Sequence, residues 1–491
     1  MTLPGPDNPL FWILGIPLAA ALALAVLPWW RVAAWLNVAA SGATFAAALP
    51  LFRARPEPTR LFFIDDFNIY LVALTAFVGM TTAVFSAAYI ARESAAARLG
   101  DAHLRFYHSM YQAFMFTMLL ALVANNTGVM WVAVEAATLT TVLMVSLYRT
   151  REAIEAAWKY FILCSVGIGL ALFGTTLVYL AAQPVMGGGA DAMAWTLLVS
   201  RAGAFQPDLL NLAFVFVLVG YGTKVGLAPL HAWLPDAHAE GPTPISAVLS
   251  GLLLNVALYA LLRFKMIISA NPATLAPGPM MIVMGLSSLL LAGFMLYRRG
   301  DIKRLFAYSS IEHMGVITFA FGMGGALANF AGLMHMTMHS LTKSAIFFAV
   351  GVISQNAGTK NIADIRGLTT SHPALGWAFV VAVLAIAGLP PMGVFMSEFL
   401  VVASTFAREP LLAVPLVLGL LLAFGALLSR LQGMAFGEPK AGPVAHGTAS
   451  PLSTALVHLP LWAHLALVVA AGLYLPEPLT EWFQTVARLL G

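Results

Sequence analysis

Lys224–Pro244 reads KVGLAPLHAWLPDAHAEGPTP and follows the apolar run 209–222. A lysine, then Pro229, His231 and Pro235, stand where a membrane-crossing helix would continue with unbroken apolar residues. Proline removes a backbone donor and its ring clashes with the preceding turn. At membrane depth, freed backbone groups are tolerated only where protein or a wet cavity satisfies them. The stretch therefore predicts a helix interrupted inside a bilayer. Lys224 and His231 are seven residues apart, so on a regular helix they would face nearly the same way, about 10 Å apart along the axis. A proline kink by itself also serves packing, but ionisable side chains at this depth are functional by default.

The rest of the composition agrees with a bilayer setting. Of 491 residues, 60% are hydrophobic and 9% charged, against roughly 25% charged in a soluble domain. The formal charge of +4 comes mostly from loop lysines and arginines, which report topology and not nucleic-acid binding. Cys164 is the single cysteine. It excludes an intrachain disulfide and any Cys-based iron–sulfur or zinc site. The first apolar run lacks a basic leading region, so no cleavable signal is expected.

Apolar runs long enough to cross the core, about 20 residues each, fall near 9–29, 32–52, 67–90, 106–124, 127–148, 154–182, 208–233, 245–268, 279–297, 303–323, 326–355, 374–405, 411–435 and 456–475. They make fourteen spans, with the seventh, eleventh and twelfth read as interrupted. An even number puts both termini on one side. One set of loops holds Arg31, Arg92, Arg98, Arg105, Arg149, Arg151, Arg298, Arg299, Lys303, Arg304, Lys360, Arg366, Arg430 and Lys440, against Arg53, Arg55, Arg60, Arg201, Arg263, Lys265, Arg408 and Arg488 in the other. Fourteen against eight favours the first set as cytoplasmic and both termini outside.

Lys159, Lys224 and Lys343 remain within spans, as do the acids Glu135, Glu155, Glu312 and Glu398. Glu135 sits mid-helix with no charge within ten residues on either side, and a lone carboxylate there calls for a facing cation. Lys224 is the obvious candidate. Glu155 and Lys159, four apart, either pair along one helix face or leave Lys159 between the Glu135 and Lys224 regions. His335, His339 and Lys343 recur at intervals of four in HMTMHSLTKSAIFF, which places them on one gently rotating face. Two histidines at that spacing suit a metal only with a carboxylate base and a third ligand, and none is apparent nearby in sequence. A row of imidazoles beside a lysine and hydroxyls reads instead as a proton relay or as a satisfied polar core. Pro390 and Pro391 break the twelfth span, and Glu398 follows two turns later. Five spans separate the two breaks, and an odd shift reverses direction. If the breaks are equivalent, the chain holds an inverted repeat, spans four to eight against nine to thirteen, of the kind that lines ion pathways.

GTKVGLAPLHAWLPDAHAEGPTPISA, DIKRLFAYSSIEHMG, HMTMHSLTKSAIFF and AGLPPMGVFMSEF resemble the signature segments of the antiporter-like membrane subunits shared by respiratory complex I, Mrp cation/proton antiporters and membrane-bound hydrogenases. The resemblance runs from about Phe106 to Arg408. Within it, EAAWKYFILCSVGIGLALFGTTLVY and the overall length are most similar to the hydrogenase-4 branch, component F of the formate hydrogenlyase type. The resemblance implies an all-α polytopic membrane protein of about fourteen transmembrane helices, with two inverted five-helix repeats and broken helices seven and twelve. It implies N-terminal helices over 1–105, bundles over 106–270 and 271–436, and a last helix and tail over 437–491. By motif, Glu135 and Lys224 become the central pair, with Lys159 as its modulator. His335, His339 and Lys343 become the eleventh-helix relay, and Glu398 the terminal site. Ser250 and Asn255 stand where relatives carry a histidine or a lysine, so a link between the halves would depend on water.

These readings converge on a proton-translocating subunit of a redox-driven complex in the cell (inner) membrane, moving protons along Glu135, Lys159, Lys224, His231, His335, His339, Lys343 and Glu398. No catalysis, cofactor or metal is expected in the chain itself. Iron–sulfur with nickel–iron or flavin groups are expected in partner subunits, and no nucleic acid is involved. The rivals are an Mrp-type sodium or potassium/proton antiporter subunit and a non-conducting membrane anchor. A reporter fused after Gly491 should lie outside the cytoplasm and one within 437–450 inside; protease or enzyme-tag accessibility showing the reverse would reject this orientation.

Overall fold

A computed structural model describes residues 4–27, 29–96, 98–439 and 451–491. Among them, twelve helices are long and apolar enough to cross a membrane. Two more spans complete the set of fourteen: Ile302–Met323, which carries Lys303, Arg304 and Glu312, and the broken pair Pro373–Ile386 and Gly393–Arg408. The seventh span is also broken, into Pro207–Val225 and Trp233–Glu240. The eleventh is not: Ala326–Ala357 is one continuous helix of 32 residues, about 48 Å long. Its three ionisable residues interrupt the hydrophobic pattern without a proline to interrupt the backbone. Short helices Trp195–Arg201 and Glu477–Leu489 lie outside the spans. The tail helix packs Phe483, Val486 and Ala487 inward, and Trp482 donates to the Asp66 carbonyl at 3.0 Å. Lys440 and residues 440–450, used above for topology, lie outside the described residues.

Both breaks follow the same local rule. Gly226 and Gly388 take left-handed φ values of +80° and +70°, which a Cβ would disfavour. The next residue folds back on the helix it leaves, Leu227 N–H to Gly222 O at 2.9 Å and Leu389 N–H to Leu384 O at 3.1 Å. The sequences register without a gap, GLAPLHAWLPD from Gly226 and GLPPMGVFMSE from Gly388, so Asp236 occupies the place of Glu398. At the first break the freed groups find protein partners: Ala228 N–H donates to Ser288 Oγ at 2.8 Å, and Trp233 Nε1 to the Thr223 carbonyl at 2.8 Å. Because the helix stops at Val225, the seven-residue register of Lys224 and His231 does not apply. His231 packs edge-on to Tyr308 of the tenth span, while Lys224 faces the fifth.

Arg263, counted above among loop charges, is buried in the eighth span at 1% exposure. Its guanidinium forks onto Asp65 at 2.8 and 2.7 Å, a bidentate charge-assisted geometry. Phe63, Phe67, Trp195 and Tyr259 surround it with ring centroids 4.3–5.2 Å away. Asp65 also caps the third span by exchanging bonds with Asn68, so one ion pair ties that helix start to the eighth span. Burial works to raise the Asp65 carboxyl, but the charge and hydrogen bonds of Arg263 hold it below the ordinary carboxylate range. This contribution is complete above about pH 4 and is lost as the pH falls through the lowered value. Arg263→Met leaves Asp65 without its counter-ion and should cost roughly 3 kcal/mol, read as a lower unfolding temperature of the detergent-solubilised chain; an unchanged temperature would show that the cage, not the pair, carries the contact.

Candidate functional site

The first constellation forms where the broken seventh span meets Thr127–Val145, the fifth, and Arg151–Met186, the sixth. Lys224 is fully buried and its Nζ lies 3.6 Å from Glu135 Oε2. Lys224 also donates to Thr138 Oγ1, one turn along from Glu135. Ser165 of the sixth span donates to Glu135 Oε1 at 3.1 Å. Each ion thus keeps a hydroxyl partner besides the other ion. The Tyr160 ring lies 5.8 Å from Lys224 Nζ and stacks on Trp233 at 4.5 Å, so the half-helix beyond the break walls the lysine. Glu135 is 18% exposed between the outward-facing Val132 and Leu139. The pair therefore sits near the lateral surface.

Lys159 does not lie between these two ions. Its Nζ is 2.6 Å from Glu155 and 3.3 Å from Asp236, which also receives Arg304 at 2.7 Å. Of the two readings left open by spacing, pairing with Glu155 is the one present, and Asp236 joins it.

The second constellation is built on the tenth, eleventh and twelfth spans. His335, His339 and Lys343 are fully buried. His335 Nε2 lies 3.0 Å from His313 Nδ1, and His335 Nδ1 lies 2.9 Å from Ser397 Oγ. His313 in turn approaches Glu312 at 3.0 Å and Glu398 at 3.8 Å. Glu398 reaches back to the break, where a Cβ on Gly388 would overlap its carboxylate. Lys343 donates to the Phe306 carbonyl at 3.0 Å and, among the described residues, makes no ion pair. The Glu135–Lys224 arrangement is not repeated by Lys343 and Glu398.

Between the halves, Ser250 lies in a π-helical turn, Leu249–Leu253, a local widening common at functional sites. Its hydroxyl is 2.7 Å from Ser310 Oγ, two residues before Glu312. Asn255 donates to Ser340 Oγ at 2.8 Å, next to His339. Both positions thus touch protein hydroxyls directly. His238, stacked at 4.9 Å on Phe347, is buried with neither ring nitrogen bonded among the described residues. Sequence reasoning singled out neither His238 nor His313, although both stand in the quoted segments LPDAHAE and SSIEHMG. An adjacent Glu–His pair inside an apolar span was the signal for the latter.

An all-helical membrane protein with two broken helices and an interior line of ionisable side chains has the architecture of the antiporter-like subunits. The chain belongs to the NADH:quinone oxidoreductase/Mrp antiporter transmembrane family, whose model matches residues 124–423. It is 59% identical over 474 residues, 96% of this chain and 98% of the relative, to a hydrogenase-4 component F homolog of Methylacidiphilum infernorum (isolate V4). Its fold matches a chain of the membrane-bound sulfane sulfur reductase, an archaeal respiratory membrane complex, with a TM-score of 0.85 at 20% identity, covering 97% of this chain and 96% of that one. It matches a chain of respiratory complex I from Thermus thermophilus with a TM-score of 0.75 at 23% identity, covering 94% and 98%.

Gly388→Ala should destabilise the chain twice over, by about 1–2 kcal/mol for the left-handed backbone and by driving Glu398 off His313. Adding Glu398→Ala removes the overlap and should restore part of the lost unfolding temperature; no recovery would mean that the backbone alone demands glycine.

Proposed function

We propose that this chain is the proton-translocating membrane subunit of a redox-driven complex of the hydrogenase-4 or complex I kind. It sits in the cell membrane with both termini on the non-cytoplasmic side. The observation that carries the reading is the contact of the buried Lys224 with Glu135 beside a helix break. With the carboxylate near, the ammonium is stabilised. Drawn away in a low-dielectric site, a lone ammonium is costly and gives up its proton. Thr138 and Ser165 supply each ion with a partner in the separated state.

Beyond the pair, Ser250–Ser310 and Asn255–Ser340 join the halves through hydroxyl and amide groups. His339, His335 and His313 then lead toward Glu398. An imidazole accepts a proton on one nitrogen and releases one from the other, so the row suits relay rather than storage. Lys159, on the surface, acts on the pair through the charges of Glu155 and Asp236. His231 stands at the break as a side branch. The chain supplies no hydride or hydrogen chemistry in this reading, which belongs to partner subunits holding iron–sulfur with nickel–iron or flavin groups. The high identity to a hydrogenase-4 component F homolog favours this over an Mrp-type antiporter working without redox chemistry.

Glu135→Gln and Lys224→Met should leave an assembled complex whose proton translocation falls about tenfold or more, since ~1.4 kcal/mol already changes a rate tenfold. Because each charge is the other's switch, the double variant should be little worse than either single one. Reconstitution in sealed vesicles with a pH-sensitive dye, normalised to complex abundance, measures this. Normal pumping in a fully assembled Lys224→Met complex would end the proposal.

A further inference from the structure

The second constellation has an arrangement that proton relay does not require. Three donors from three different spans converge: His313 Nδ1, His335 Nε2 and a Glu398 oxygen all lie within 4.8 Å of one another. The separations are 3.0 Å between the imidazole nitrogens and 3.8 Å from His313 to Glu398, with the third pair within 4.8 Å, beside the roughly 3.3 Å expected between donors on a tetrahedral ion with ~2.05 Å bonds.

Hydrogen bonding also orients one of the donors. The Ser397 hydroxyl gives its own proton to the Val394 carbonyl at 2.8 Å, so its oxygen is left to accept from His335 Nδ1–H. A neutral His335 then carries its lone pair on Nε2, which faces the cluster. His313 Nε2 lies 3.0 Å from a Glu312 carboxylate oxygen, but neither atom has a hydrogen-bond partner among the described residues. A serine hydroxyl bonded behind His335 is the kind of outer partner that metal-binding imidazoles keep. His339 adds a fully buried ring, 5.8 Å from that of His313, with neither nitrogen bonded among the described residues. Two imidazoles and a carboxylate select zinc-like ions over alkali or alkaline-earth ions. At the twelfth-span break beside the cluster, Pro390 and Pro391 are exposed and Glu398 reaches Gly388.

We propose that His313, His335 and Glu398 bind one divalent transition-metal ion of the zinc type, with a fourth position left to water or His339. The site departs from the sequence expectation of no metal because its third ligand comes from a helix about 60 residues away in sequence, beyond any local spacing rule. An ion there occupies the lone pairs that a relay would use, so the metal and the proton compete for the second half. That regulatory consequence rests on the proposed function; the binding itself does not.

Binding is therefore tested without transport. The purified full-length chain, stripped by chelator, is equilibrated with Zn2+ and desalted, zinc per chain is counted, and its donors are read by X-ray absorption. We expect one zinc with nitrogen and oxygen donors and no sulfur. Glu398→Gln and His335→Gln should abolish it, and Ser397→Ala should weaken it about 10- to 100-fold. His372→Gln, at an exposed histidine elsewhere, should leave it unchanged. Ser397→Ala keeps the test decisive if a ligand variant folds poorly. No retained zinc in the folded native chain, or equal binding in native chain, Glu398→Gln and Ser397→Ala, overturns the site. Zinc that binds as expected yet leaves vesicle proton translocation untouched upholds the site and counts against the relay reading of this half.

Discussion

The bilayer's demand that every backbone donor and acceptor find a partner within the protein governs this structure more than any single side-chain contact. A helix may be broken at depth only if its loose ends are caught. Gly226 turns the chain, Leu227 closes back on Gly222, and Ser288 and Trp233 take up Ala228 N–H and the Thr223 carbonyl. Trp233 is also the ring that stacks on Tyr160, beside Lys224. The groups that make the break tolerable are thus the groups that shape the lysine's surroundings, and stability and function are built from the same contacts.

The two halves use this device for different electrostatics. In the first, a lysine precedes the glycine turn by two residues and meets a carboxylate from another helix. In the second, the corresponding position is Ile386, and the ionisable groups gather on the far side of the break around two touching imidazoles. The first half holds a pair of opposite formal charges, each with a hydroxyl partner of its own. The second holds imidazoles and a carboxylate in contact, with no ion pair to a lysine or arginine among the described residues. One backbone device, used at both breaks, therefore carries two different sets of ionisable groups.

The breaks and the short roll of intramembrane ionisable residues were legible in the sequence because each violates a strong local rule: proline cannot continue a helix, and charge is scarce among apolar runs. The pairing of Glu135 with Lys224 was legible by elimination, since neither has a neighbour along its own helix. What stayed hidden depends on rotation and on contacts between helices. The left-handed turn at Gly226 re-aims His231 toward Tyr308, which a seven-residue register cannot foresee. Arg263 looks like a loop charge until Asp65, almost two hundred residues earlier in the chain, is brought beneath it. The eleventh span looked interrupted because its polar row resembles a break, yet no proline is there to make one.

Asp236 and Glu398 show how far equivalent positions can drift. They stand at the same distance from their glycine turns, in GLAPLHAWLPD and GLPPMGVFMSE. Asp236, partly buried, is met by the more exposed side chains of Lys159 and Arg304. Glu398 has no cation of that kind and lies against His313 and the bare backbone of Gly388. The difference lies in the neighbours: Asp236 meets two cations, while Glu398 faces an imidazole and a stretch of bare backbone. The same backbone turn at the two breaks thus sets one acid between Lys159 and Arg304 and the other against His313 and Gly388.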